Sequence, residues 1–153
     1  MKNFEVEITL SEGNGAEQTE SFESQDINLI LRKFFNINWR RQLLKQLQQM
    51  ESESTFSVMN VETEQYISIT LNAHSTQTEP QFHIDSNIEF SVVSKELLGL
   101  LKRTKNYTVI YKNLNQSQVV EQLSVFLDGH VDSMIEHYKQ LLHKKSLQEY
   151  RIA

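Results

Sequence analysis

The sequence predicts a single α+β domain over residues 1–153, with about five mostly antiparallel strands covered on one side by helices. Three observations carry this. Apolar residues alternate with polar ones near the N-terminus and through the middle of the chain, the period of half-buried strands. In residues 27–50, and again after residue 94, they recur every third or fourth position, the period of helices packed on a core. No Pro-rich, Gly-rich or low-complexity stretch divides the chain, which holds one Pro and four Gly among 153 residues. A chain of that size buries about two-thirds of the surface it exposes when unfolded, enough for one core.

The elements follow in order. "NFEVEITL" alternates strictly, with Phe4, Val6, Ile8 and Leu10 on one face and Glu5, Glu7 and Thr9 on the other. "SEGNGAEQTESFES" reads as a loop or loose hairpin anchored by Phe22. Asp26 is placed to cap a helix running to Phe35, with Ile27, Ile30, Leu31 and Phe34 on its stripe. Asn38 caps the next helix, where Trp39, Leu43, Leu47 and Met50 share a face. Residues 55–93 read as a three-stranded meander, "TFSVMNVE", "QYISITLN" and "FHIDSNIEFSVV", with a tight connection from Glu62 to Gln65 and a break in the third strand at Ser86 and Asn87. Ser94 is read as the cap of a short helix carrying Leu97, Leu98 and Leu101, followed by a strand from Tyr107 to Tyr111. Asn115 and Gln118 form a capping box ahead of Val119, Val120, Leu123, Phe126 and Leu127. Asp128-Gly129 ends that helix, and Val131 to His143 makes another.

Composition narrows the function classes. The absence of cysteine excludes disulfides, thiolate nucleophiles, zinc fingers and iron–sulfur clusters, and makes the cytoplasm the expected location. No stretch approaches the roughly 20 apolar residues that span a bilayer, so no membrane association is expected. The net charge of −5 is segregated: residues 1–26 hold seven acids and one Lys, 27–54 two acids and five bases, 55–93 five acids and no base, and 94–153 six acids and nine bases. A sheet built from the acidic stretches repels phosphate backbones, which argues against direct nucleic-acid binding, and attracts basic partners.

The chemical candidates are weak. His83 and Asp85, two apart on a strand, point the same way and could share a proton, but no nucleophile elbow or third orienting group accompanies them. A solvent-facing pair is the expected reading. His130 and His137 lie seven apart on a helix, about 10 Å along its axis, too far for the i, i+4 zinc pair. His143, Lys144 and Lys145 fall in a last helical turn, where cations meet the negative dipole end. "GNG" at Gly13 to Gly15 lacks the third glycine of a dinucleotide loop. Arg40, Arg41 and Lys45 flank an apolar stripe that serves core packing better than membrane binding. The expectation is therefore no enzyme activity, no cofactor and no metal.

The three-stranded meander, the short Leu-rich helix and the closing strand, "STFSVMNVETEQYISITLN" through "FSVVSKELLGLLKR" to "YTVIYK", resemble the small immunity proteins that bacteria encode beside secreted toxins, of the contact-dependent growth inhibition type. The resemblance covers about residues 55–112, and the two C-terminal helices depart from it. It implies a cytoplasmic protein that binds a cognate toxin domain, often a basic nuclease, and blocks it sterically. The charge pattern leads the same way independently, to an acidic sheet face holding Glu5, Glu7, Glu62, Glu64, Asp85 and Glu89, with Tyr66 as an aromatic anchor. Two rivals stand beside it. A small-ligand-binding or enzymatic domain would use a sheet-face pocket with His83, Asp85 and a tyrosine. A self-assembling protein would pair its last helix through Val131, Met134, Ile135, Tyr138 and Leu142; those positions are expected in the chain's own core, which leaves a monomer or a weak homodimer.

Overall fold

A computed structural model describes residues 2–13, 15–48, 52–72 and 79–152. The chain forms β1 (Phe4–Gly13), β2 (Ala16–Ser24), α1 (Ile27–Phe35), α2 (Trp39–Gln48), β3 (Thr55–Asn60), β4 (Tyr66–Leu71), β5 (Phe82–Ser86), β6 (Glu89–Glu96), β7 (Leu101–Thr108), β8 (Tyr111–Leu114), α3 (Gln116–Leu127) and α4 (Val131–Ile152). Six strands make one antiparallel sheet in the order β2-β1-β3-β4-β5-β8, and β6 and β7 pair separately as a two-stranded ribbon. The fold is α+β, as the periodicities require. No helix among the described residues is long and apolar enough to cross a membrane.

Alternation builds the core. Phe4, Val6 and Ile8 of β1, Phe56 and Val58 of β3, Ile67, Ile69 and Leu71 of β4, and Phe82 and Ile84 of β5 are all buried on one face. The helices cover that face with Ile30 and Phe34 of α1, Trp39 and Leu43 of α2, and Val119, Leu123, Phe126 and Leu127 of α3. Phe34 sits at the centre of an aromatic cluster, 5.2 Å from the Trp39 ring, 5.3 Å edge-on to Phe56 and 6.0 Å from Phe82. The predicted caps form. Asp26 accepts from the Leu29 amide at 3.1 Å, Asn38 from the Arg41 amide at 3.0 Å, and Asn115 and Gln118 bond each other's backbone amides reciprocally.

A second, polar tie fastens α2 to the sheet. The Gln42 side-chain oxygen accepts from the Ser11 amide at 3.0 Å and from the Ser54 hydroxyl at 2.7 Å, while Gln46 accepts from the Ser54 amide at 3.3 Å. The Ser11 and Ser52 hydroxyls meet at 2.6 Å. These buried polar groups find one another, so the tie avoids the penalty of an unpaired buried donor or acceptor.

Of the two readings of "SEGNGAEQTESFES", loop or loose hairpin, the hairpin holds: Ala16–Ser24 form β2, an edge strand whose side chains are largely exposed; only Phe22, opposite Val6, shows the apolar alternation, and Glu20 reaches Lys33 of α1 at 2.6 Å. Four expectations need correction. The third meander strand does break at Ser86 and Asn87, but the chain beyond the break leaves the sheet. The Ser86 hydroxyl donates to the Val109 carbonyl at 2.6 Å and accepts from the Ile88 amide, and Asn87 accepts from the Tyr66 amide at 2.8 Å, pinning the exit. The helix expected after Ser94 is the turn of the β6–β7 ribbon: Leu97, Leu98 and Leu101 are exposed, and no described element packs over them. The strand expected from Tyr107 to Tyr111 is split between β7 and β8 around buried Val109, whose amide donates to the Ile88 carbonyl. In α2, Leu47 faces solvent at 51 % exposure, and Met50 lies outside the described residues.

The last helix joins the two sheets. Met134 is fully buried, and Val131, Ile135 and Tyr138 pack on the same core. The Tyr138 ring meets Phe90 of the ribbon at 5.9 Å and Tyr111 of β8 at 5.8 Å, both edge-on. The stripe considered for self-assembly is thus engaged within the chain, with Leu142 half-buried at its end.

Candidate functional site

Among the described residues no helix packs on the opposite face of the six-stranded sheet, and registration across the strands sorts its side chains into rows. Glu23, Glu5, Met59 and Tyr66 stand side by side; next come Ser21, Glu7, Ser57, Ser68 and Asp85, and then Thr19, Thr9, Thr55, Thr70 and His83. Successive residues alternate faces, so the positions that fill these rows are those the buried set leaves over. Hydroxyls link neighbouring strands, Ser57 to Ser68 at 2.9 Å and Thr9 to Thr19 at 3.4 Å. Glu5, Glu7, Ser57, Met59 and Tyr66 frame a shallow depression of about 250 Å³.

Strands β1 to β5 contain no lysine or arginine. The four carboxylates of Glu5, Glu7, Glu23 and Asp85 therefore add their fields over this face without a facing cation from the strands that carry them. Glu62 and Glu64 lie at its end, in the β3–β4 turn, which Asn60 shapes by accepting from the Glu62 and Thr63 amides. Glu64 adopts a left-handed backbone (φ 56°), and its carbonyl accepts from the Asn87 side chain at 2.9 Å. Tyr66, 40 % exposed, sits where that turn meets the face. Six of the seven residues expected at the interface thus lie on the face or at its end. Glu89 opens β6, opposite Thr108 in the other sheet, because the chain departs at Asn87. Glu23 was missed because its stretch, read as a loop or loose hairpin, was given no register; its pairing opposite Glu5 is not encoded by local alternation.

His83 and Asp85 do project from the same face of β5, yet they do not hydrogen-bond each other. Asp85 is exposed beside Ser68, whereas the His83 Nδ1 is buried with no partner among the described residues. Among the described residues no group of three His, Asp or Glu side chains could hold a metal ion. Two larger grooves flank α4. One of about 570 Å³ lies against the ribbon, lined by Val92, Val93, Tyr107, Lys139, Leu142 and His143; the other, about 500 Å³, lies against β8.

One polar cluster was invisible to local pattern. The Tyr111 hydroxyl donates to the Met134 carbonyl at 3.3 Å and lies 3.3 Å from the His137 Nδ1, which is also 3.4 Å from the Gln122 amide nitrogen. Burial, then the neighbouring Tyr138 and Glu121, push the Tyr111 hydroxyl far above the ordinary phenol range; burial, then Tyr107, raises Tyr138. An unfolded phenol ionises near pH ~10, so stability is complete below that pH and falls as pH rises above it, where the unfolded chain sheds a proton that the folded one keeps. Tyr111→Phe is expected to flatten this alkaline limb by up to about 1.4 kcal/mol per pH unit, measured as the denaturant midpoint above pH ~10. An unchanged limb would mean that Tyr111 ionises freely in the fold.

No family model matches this chain, and no curated protein or solved structure is significantly similar to it.

Proposed function

We propose that this protein is a binding module that lays its open acidic sheet face on a basic protein surface, and that its partner is a bacterial toxin domain which it neutralises by covering it. The observation that carries this reading is the helix-free face with four carboxylates on strands devoid of lysine and arginine. A hydroxyl-lined sheet whose Ser57–Ser68 and Thr9–Thr19 pairs are already joined across strands has less side-chain entropy to lose on docking. Tyr66 and Met59, adjacent in one row, supply the apolar centre that such an interface needs, with Glu5 and Glu7 as charged neighbours. The toxin partner class rests on the resemblance stated for residues 55–112, of which the paired strands β3 and β4 remain and the short Leu-rich helix does not. Neutralisation would take place in the cytoplasm, where a cysteine-free chain is at no disadvantage.

The test is association with the toxin domain encoded beside its gene, followed by stopped-flow mixing at rising sodium chloride. Steering by exposed charge is screened beyond about 8 Å at physiological ionic strength. The association rate should fall by about tenfold or more between low and high salt, with a smaller change in dissociation. Absence of binding to that domain, or an association rate indifferent to salt, overturns the reading.

A further inference from the structure

The β6–β7 ribbon ends in Leu97, Leu98, Gly99, Leu100 and Leu101, and its four leucines are 69 %, 103 %, 85 % and 54 % exposed. Ordinary turns place Gly, Asn or Asp at left-handed positions. Here Leu97 and Leu98 take φ +54° and +56°, ahead of Gly99 at +84°. Bulky side chains are thus held in an unfavourable backbone region and in water at once, a combination that folding alone does not reward. A second anomaly lies directly below. Lys95 and Lys102 are cross-strand partners on one face of the ribbon, where like charges repel. Arg103 and Lys105 follow along β7, so residues 94–105 hold four bases against the single acid Glu96.

We propose that this tip docks on anionic phospholipid bilayers, the leucines entering the boundary of the acyl region while Lys95 and Lys102 meet the lipid phosphates. The spacing fits. At about 3.3 Å per residue, the lysine pair stands roughly 10 Å behind the outermost leucines, the depth to which interfacial segments sink their apolar side chains. A bilayer also suits the shape. The leucines sit on both arms and the crest of a narrow turn, and a fluid apolar medium surrounds such a tip, whereas a groove covers one side of it. The acidic face of a second copy would match the lysines but offers serine, threonine and carboxylate rows, into which four leucines cannot be buried. Such interfacial docking needs no bilayer-spanning stretch, so it does not depend on the roughly 20 apolar residues that the chain lacks.

The test uses the full chain and flotation with unilamellar vesicles, either phosphatidylglycerol–phosphatidylcholine or pure phosphatidylcholine. The protein should float with the anionic vesicles and not with the neutral ones. Leu98→Ser with Leu100→Ser, and separately Lys95→Glu with Lys102→Glu, should each lower the partition coefficient by about tenfold or more. Both pairs are exposed turn or ribbon positions, and unchanged circular dichroism confirms folding. Leu98→Trp should show blue-shifted emission on anionic vesicles against the constant background of Trp39, which is buried already. Three results overturn the proposal: no flotation with anionic vesicles at low salt; flotation that the leucine variant retains in full, which is adsorption without insertion; or a dimer in sedimentation that Leu98→Ser dissolves, which gives the tip to a second copy.

Discussion

Phe34→Ala is expected to cost about 3–5 kcal/mol, the range for deleting a buried aromatic ring, against about 5–15 kcal/mol of total stability for a domain. Phe34 has no solvent-accessible surface and joins α1 to α2, β3 and β5 through three ring contacts. Its own carbonyl accepts from the Trp39 indole at 3.2 Å, so the void would open beside a bond that fixes the start of α2. Relaxation into the cavity is opposed on three sides, which puts the loss at the upper part of that range. The next residue supplies the control. Phe35 is 55 % exposed, and Phe35→Ala should change stability by no more than about 0.5 kcal/mol. Urea titration followed by the fluorescence of Trp39, the one tryptophan, compares the two. Equal losses would show that the aromatic cluster does not organise the core.

The largest functional effect is expected from reversing Glu5, Glu7 and Asp85 together to lysine. The open face then changes from acidic to basic, and association with a basic toxin domain should slow by about two orders of magnitude, within the span that electrostatic steering commands. Protection of a cell expressing that toxin should be lost with it. The fold has reason to tolerate the change: Glu5 faces Glu23 across the β1–β2 pair, so a lysine there replaces repulsion with attraction, and Glu7 and Asp85 face serines. Lys144→Glu with Lys145→Glu, near the end of α4, should leave association nearly unchanged. A folded triple variant that still protects would move the binding surface to the helical side, where Arg41 and Lys45 become the next residues to reverse.

What was legible in the sequence was local. Alternation fixed the buried set of β1, β3, β4 and β5, and the side chains of Asp26, Asn38 and Asn115 marked helix starts because a cap is a contact within three residues. What was left open or missed lacks a local apolar signal or depends on distant partners. The polar strand β2, read as loop or loose hairpin, exists because β1 supplies its ladder, and its own residues carry little apolar signal. Glu89 shares a sequence segment with Asp85 but not a sheet, since two hydrogen-bonding side chains at Ser86 and Asn87 redirect the chain. Leu97 to Leu101 misled for a different reason: hydrophobic pattern assigns leucines to an interior, and these four lie at the surface.

The order β2-β1-β3-β4-β5-β8 leaves two outer strands, each with a row of backbone amides and carbonyls facing away from the sheet. Such rows invite a foreign strand to add itself, the first step of ordered aggregation. Here the invitation is weak on both sides. The nine residues of β2 include Glu17, Glu20 and Glu23, so a second β2 laid alongside would bring carboxylates against carboxylates. The four-residue β8 is too short to template much, and Asn113, at φ +59°, interrupts its extended path while its side chain is held by Asn72 at 2.8 Å. A sheet with one bare face can therefore remain dispersed at high concentration, because its margins discourage the strand addition that its open edges would otherwise permit.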